Sequence, residues 1–123
     1  MSAEQQKAGR LTTHVLDTAK GVPARDLRIE LYRLDNDKHQ KLKDVRTNDD
    51  GRCDEPLLAG ETMQTGQYEL VFHVGDYFQV KRDNGNFAFL DQVPLRFGIG
   101  DAAQHYHVPL LVSPFSYSTY RGS

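Results

Sequence analysis

The sequence predicts an all-β sandwich of eight short strands with one short helix, and three observations carry that expectation. Apolar residues recur at every second position, the alternating segments are short, and turn-forming residues separate them. The first strand is expected from Leu11 to Leu16, closed by the Lys20-Gly21 turn. Leu27, Ile29 and Leu31 then alternate with Arg28, Glu30 and Tyr32, which buries one face and wets the other. Asn36-Asp37 marks the next turn, within a polar run from Asp35 to Lys41 that reads as solvated, and a strand follows from Lys41 to Thr47. Asp50-Gly51 is a further turn, after which a strand is expected from about Arg52 to Leu57. Tyr68, Leu70, Phe72 and Val74 alternate with Glu69, Val71 and His73. The stretch Asp76 to Arg82 breaks the pattern and predicts the short helix, capped by Asp76 with Phe78 and Val80 facing inward. After Asn84-Gly85, Val93 to Ile99 alternates again, Gly98 to Gly100 turns the chain, and His105 to Val112 forms the next strand. Pro114 cannot donate to a ladder and marks the turn into the last strand, Ser116 to Tyr120.

A chain of 123 residues with 38% apolar side chains supports one domain with one core. That domain is expected over residues 11–123, behind a flexible segment of residues 1–10. Fifteen basic against 17 acidic residues leave a net charge of −2, too little field to gather nucleic acid or a membrane surface. The single cysteine, Cys53, excludes an internal disulfide, so stability must come from packing, a metal or self-association. The first ten residues are polar, and no stretch approaches the roughly 18 apolar residues of a spanning helix. A cytoplasmic, reducing compartment is the expectation.

Five histidines are the first candidates for acid/base chemistry or metal ligation. His39 falls in the solvated run, and His73 reads as a surface or interface residue opposite Tyr68, Leu70 and Phe72. His105 and His107 differ, because a strand places both on one face roughly 7 Å apart. Tyr106, Val108, Leu110 and Val112 form the other, apolar face, so the histidines are expected to look outward from the sandwich or into an interface. Spacing alone does not say whether His14, far away in the chain, meets them. The three could be read as a zinc site, a weak signal at this spacing. No GxSxG elbow, P-loop, GxGxxG or CxxC pair is present. Near the C-terminus, Arg121 follows hydroxyl residues and could hold an anionic or carbonyl-rich ligand.

The segments LTTHVLD (Leu11 to Asp17), TNDDGR (Thr47 to Arg52), GDYF (Gly75 to Phe78) and HYHVPLLVSPFSYSTYRGS (His105 to Ser123) occur in that order. Together they resemble the transthyretin-related 5-hydroxyisourate hydrolases, and the YRGS ending is the part that separates these enzymes from transthyretin itself. The resemblance implies an eight-stranded transthyretin-like sandwich assembled as a homotetramer, a dimer of dimers around a central channel. It implies hydrolysis of 5-hydroxyisourate to 2-oxo-4-hydroxy-4-carboxy-5-ureidoimidazoline in urate degradation, with no cofactor and no metal. Its active-site positions fall on His14, Arg52, His107, Tyr120, Arg121, Gly122 and Ser123. Two imidazoles and a guanidinium suit the opening of a lactam by water, which needs a base, an oxyanion partner and a proton for the leaving nitrogen. Under this resemblance Ser123 would position a histidine or the water. The alternatives are a transthyretin-like carrier of a small ligand, or a zinc hydrolase using His14, His105 and His107.

Overall fold

A computed structural model describes residues 9–79 and 87–123. The alternating segments form β1 (Arg10–Asp17), β3 (Arg28–Asp35), β4 (Lys38–Arg46), β6 (Gly66–Phe72), β7 (Val93–Ile99) and β8 (His105–Val112). Three shorter strands complete the set among the described residues: β2 (Val22–Pro23), β5 (Leu58–Ala59) and β9 (Tyr117–Thr119). They make two sheets, one ordered β2-β1-β8-β9 with β5 beside β1, the other ordered β4-β3-β6-β7. All pairings are antiparallel except β1 with β8, which run parallel with Thr12 opposite His107 and Arg10 opposite His105.

The core lies between the sheets. Leu11 and Val15 of β1, Leu110 and Val112 of β8, Ile29 and Leu31 of β3, and Leu70 and Phe72 of β6 are fully buried. Removing such a side chain to Ala costs about 2–5 kcal/mol through lost transfer energy and the cavity left behind. Alternation then decides the outer face: with Leu11, Thr13 and Val15 inside, Thr12 and His14 must face away from the core. The same holds on β8, where Tyr106, Val108 and Leu110 go inward and His105 and His107 go outward, as the period-two pattern predicts.

Several expectations are corrected. Arg52 to Leu57 is not a strand: Arg52 makes one isolated bridge to His14, and regular pairing resumes only at Leu58. Pro56 within that stretch has no N–H to give to a ladder. The helix, α1 (Val74–Phe78), starts two residues before Asp76, with His73 at its N-cap position and Val74 and Gly75 buried. Gln79 ends it in the left-handed region at φ 50°. The remainder of the expected helix, from Val80 to Arg82, and the Asn84-Gly85 turn lie outside the described residues. So does the expected flexible segment up to residue 8, whereas Arg10 already belongs to β1.

The polar run around His39 is not a loop, because the hairpin needs only Asn36-Asp37, with Asn36 at φ 56°, and β4 begins at Lys38. His39 is exposed on that strand, its ring 6.0 Å from that of Tyr32. His73 is not an open surface residue within this chain. It is 8% exposed and its Nε2 lies 2.6 Å from Glu30 Oε1. Glu30 also accepts from Tyr32 Oη at 2.8 Å and pairs with Lys41 Nζ at 2.9 Å. Within the same helix region the buried Asp17 accepts from Tyr77 Oη at 2.8 Å, tying α1 to the end of β1.

Candidate active site

The outer face of the β1–β8 pair carries the histidines. Register puts Thr12 beside His107, and its hydroxyl lies 2.8 Å from His107 Nδ1 and 2.8 Å from His105 Nε2. His14, two residues further along β1, bridges to Arg52. The loop that delivers Arg52 is held by hydrogen bonds to the Asn48 side chain and to the β1 backbone. Asn48 Oδ1 accepts from the amides of Asp50 at 2.9 Å and Arg52 at 3.1 Å, and Val15 N donates to Gly51 O at 2.8 Å. Gly51 sits at φ 76°, and a Cβ there would stand 2.4 Å from the Val15 carbonyl oxygen, so only glycine lets the turn approach β1.

The chain end closes another side. Gly122 N donates to His107 O at 2.7 Å, and His107 N donates back to Gly122 O at 3.3 Å. A Cβ at position 122 would lie 3.2 Å from His107 Cδ2, so glycine is what allows the strand end to lie against the ring. Ser123 then lines a cavity of about 470 Å³ together with Thr12, Arg52, Cys53, His105 and His107.

Among the expected site residues, the structure therefore gathers Arg52, His107, Gly122 and Ser123 around one pocket, with His14 adjoining through Arg52. It turns Tyr120 and Arg121 elsewhere. Both line a separate cavity of about 440 Å³ bordered by Phe97 and Tyr106. The Arg121 guanidinium lies 4.3 Å from the Tyr106 ring centre and donates to Gln104 Oε1 at 2.9 Å. Thr12, Arg10 and Glu55 were not anticipated in the site. The alternation that turns His14 outward turns Thr12 outward too, and that was the available signal.

All three clustered imidazoles are held below their ordinary value of 6.5. Burial is the first cause for His14 and His107, and the Arg52 charge is the second. For His105, burial comes first and then Arg10 and Arg121. The His14 ring also hydrogen-bonds the Asp50 backbone, which works in the opposite direction. These groups are accordingly neutral near pH 7 and able to accept a proton. Burial pushes the Cys53 thiol up to about 11, so it is not a thiolate nucleophile at neutral pH. Among the described residues no three His, Cys, Asp or Glu side chains are grouped to hold a metal ion. His105 and His107 instead direct ring nitrogens at the Thr12 hydroxyl between them.

A two-sheet sandwich with this polar pocket on its outer face places the chain in a defined class. The sequence profile of the HIUase/Transthyretin family matches residues 11–122, and the chain belongs to that family. It is 62% identical over 120 residues to 5-hydroxyisourate hydrolase 2 of Rhizobium meliloti (strain 1021), covering 95% of this chain and 98% of the relative. The solved 5-hydroxyisourate hydrolase of Klebsiella pneumoniae superposes with a TM-score of 0.76 at 31% identity, covering 94% of this chain and 99% of the other. The solved (S)-allantoin synthase superposes with a TM-score of 0.83 at 50% identity; 94% of this chain is covered, but it spans only 44% of that longer chain.

Proposed function

We propose that this chain is a cyclic amide hydrolase that converts 5-hydroxyisourate to 2-oxo-4-hydroxy-4-carboxy-5-ureidoimidazoline, a step of urate degradation. The observation that carries this reading is the meeting of neutral His107 with Arg52 in one pocket, with His14 on the same face beside Arg52. One histidine removes a proton from water as its oxygen bonds to the lactam carbonyl carbon. Arg52 stabilises the negative charge gathering on the carbonyl oxygen. The C–N bond then breaks, and the proton taken from water, now held on that histidine, passes to the leaving nitrogen, directly or relayed through the other histidine.

The Ser123 hydroxyl orients the water or a histidine, and Gly122 keeps the strand end against His107. Tyr120 and Arg121 serve as anchors in this reading: with Arg121 pinned on Tyr106 and Gln104, the last two residues are delivered to the pocket. The homotetrameric assembly and the cytoplasmic location are parts of the same proposal. The assembly has support in the exposed aromatic side chains of Phe115, Tyr117 and Tyr120 around edge strand β9. Among the described residues no helix is long and apolar enough to cross a membrane. The carrier reading has no comparable observation behind it, since the pocket is lined by imidazole, guanidinium and hydroxyl groups.

The test follows the ultraviolet decay of freshly generated 5-hydroxyisourate. The parent protein accelerates the decay, and His14→Asn and His107→Asn each lose most of that turnover while keeping the parental oligomeric state by light scattering. Near-parental rates in both variants would sink this site.

A further inference from the structure

His14 and His107 are held by partners of different chemistry. The His14 ring faces the Asp50 backbone, which favours a proton on it. A backbone carbonyl can only accept, so the bonded imidazole nitrogen must carry the proton. His107 Nδ1 instead meets a hydroxyl, Thr12 Oγ1, at 2.8 Å. A hydroxyl both donates and accepts, so by itself it leaves the His107 tautomer undecided. The decision passes to the next group in line, His105 Nε2, which lies 2.8 Å from the same oxygen.

The hydroxyl has one proton to share between two ring nitrogens. With the hydroxyl proton committed to one of these two bonds, either His107 Nδ1–H donates to Thr12 and Thr12 donates to His105 Nε2, or both bonds run the other way. The first arrangement leaves a lone pair on His107 Nε2, and the second leaves a proton there. Only the first makes His107 a base toward the pocket. We propose that Thr12 and His105 are positioning residues that hold the proton on His107 Nδ1 and so keep Nε2 free to accept one from water. The proposal rests on the reading of His107 as a catalytic group.

The geometry supports a dedicated chain of bonds. Thr12 and His107 are register partners across the parallel β1–β8 pair, and the parallel slant brings one hydroxyl between residues two apart on β8. The His105 and His107 rings stand 6.3 Å apart and tilted by 60°, too far for a direct bond and spanned by the one oxygen. Arg10 stands opposite His105 in the same register, and the charges of Arg10 and Arg121 disfavour a proton charge on that ring. A neutral His105 has a nitrogen available to accept from Thr12.

Imidazole nitrogen shifts in long-range 1H–15N spectra of the 15N-labelled protein separate the two tautomers, at a pH about two units above the ordinary imidazole value of ~6.5. The parent should show His107 with a protonated Nδ1 and an unprotonated Nε2. Thr12→Val removes the hydroxyl at equal size, and His105→Ala frees the hydroxyl to donate to Nδ1; both should move the His107 proton to Nε2. The same variants should lose roughly 10- to 100-fold in kcat, within what general base catalysis supplies, with KM close to parental. Thr12→Ser, which restores the hydroxyl, should recover most of the loss. If Thr12→Val fails to fold, His105→Ala carries the test alone, because its side chain is only partly buried. A parent spectrum with the proton on Nε2, or unchanged tautomer and kcat in the variants, overturns the proposal. Loss of turnover in His107→Asn alongside normal turnover in Thr12→Val and His105→Ala refutes the positioning role alone. Retained turnover in His107→Asn refutes the catalytic reading beneath it.

Discussion

Replacing Gly122 by Ala moves the proposed base without altering any of its chemical groups. The added Cβ would lie 3.2 Å from Cδ2 and 3.3 Å from Cβ of His107, whereas carbon pairs rest at about 3.5–4.0 Å. Relief needs a displacement of roughly 0.3–0.7 Å, shared between the ring and the strand end. The strand end has little slack, because Gly122 exchanges hydrogen bonds of 2.7 and 3.3 Å with His107 and the preceding Arg121 is stacked on Tyr106. Part of the displacement therefore falls on the imidazole. A misplacement of about 1 Å can cost about 100-fold, so a shift of half that size predicts a loss of roughly tenfold in kcat. The decay of 5-hydroxyisourate under saturating substrate measures it, with thermal melting as a control that should change little at this peripheral position. A kcat within about twofold of the parent would show that the chain end does not set the position of His107.

The kcat/KM profile should rise with pH through a midpoint below the ordinary 6.5 of imidazole and then level off, because the base works only when neutral. Arg52→Ala removes one cause of the depression, so the limb that remains should move upward in pH; an unmoved limb would count against Arg52 as a neighbour of the base. Glu30 is held down at about 2, first by the Lys41 bond and also by His73 and Tyr32, against an ordinary 4.5. Its folded value is lower than its unfolded one, so its stabilisation is complete above 4.5 and lost as pH falls toward 2. Melting temperatures of the parent and Glu30→Gln should accordingly converge across that acid window; parallel curves would contradict it. Cys53 should react slowly with iodoacetamide near pH 7 and speed up on raising the pH, since its thiol is pushed up to about 11.

The outward face of β8 was legible because period-two alternation needs only neighbours in sequence: Tyr106, Val108 and Leu110 name the buried side, and His105 and His107 follow. The meeting of those histidines with β1 was not, because parallel pairing between segments 95 residues apart leaves no mark on either one. Asp50-Gly51 announced a turn, but its docking on Val15, which brings Arg52 to His14, depends on a contact no local pattern encodes. His73 was misread because its face of β6 was taken as open, whereas Glu69 and Val71 on the same face are buried as well. Its burial is made tolerable by Glu30, a partner on another strand. The position of Arg121 was illegible for a related reason. Tyr106 offers its ring face from the other side of the same strand as the histidines, and sequence does not reveal which side a terminal arginine takes.

The parallel seam between β1 and β8 also constrains how the molecule comes into being. Thr12 leaves the ribosome long before His107, and until β8 arrives β1 is paired, among the described residues, along one edge by β2, the Gly51–Arg52 turn and β5. A central strand must therefore wait, unpaired on one flank, for most of synthesis, which is the condition under which nascent chains stick to one another. Closing the seam is a long-range event, slow by its loop-closure entropy, and it creates the pocket in the same stroke that it completes the sheet. Catalytic competence should thus appear late and all at once during refolding, and no partly formed sandwich lacking β8 can possess it.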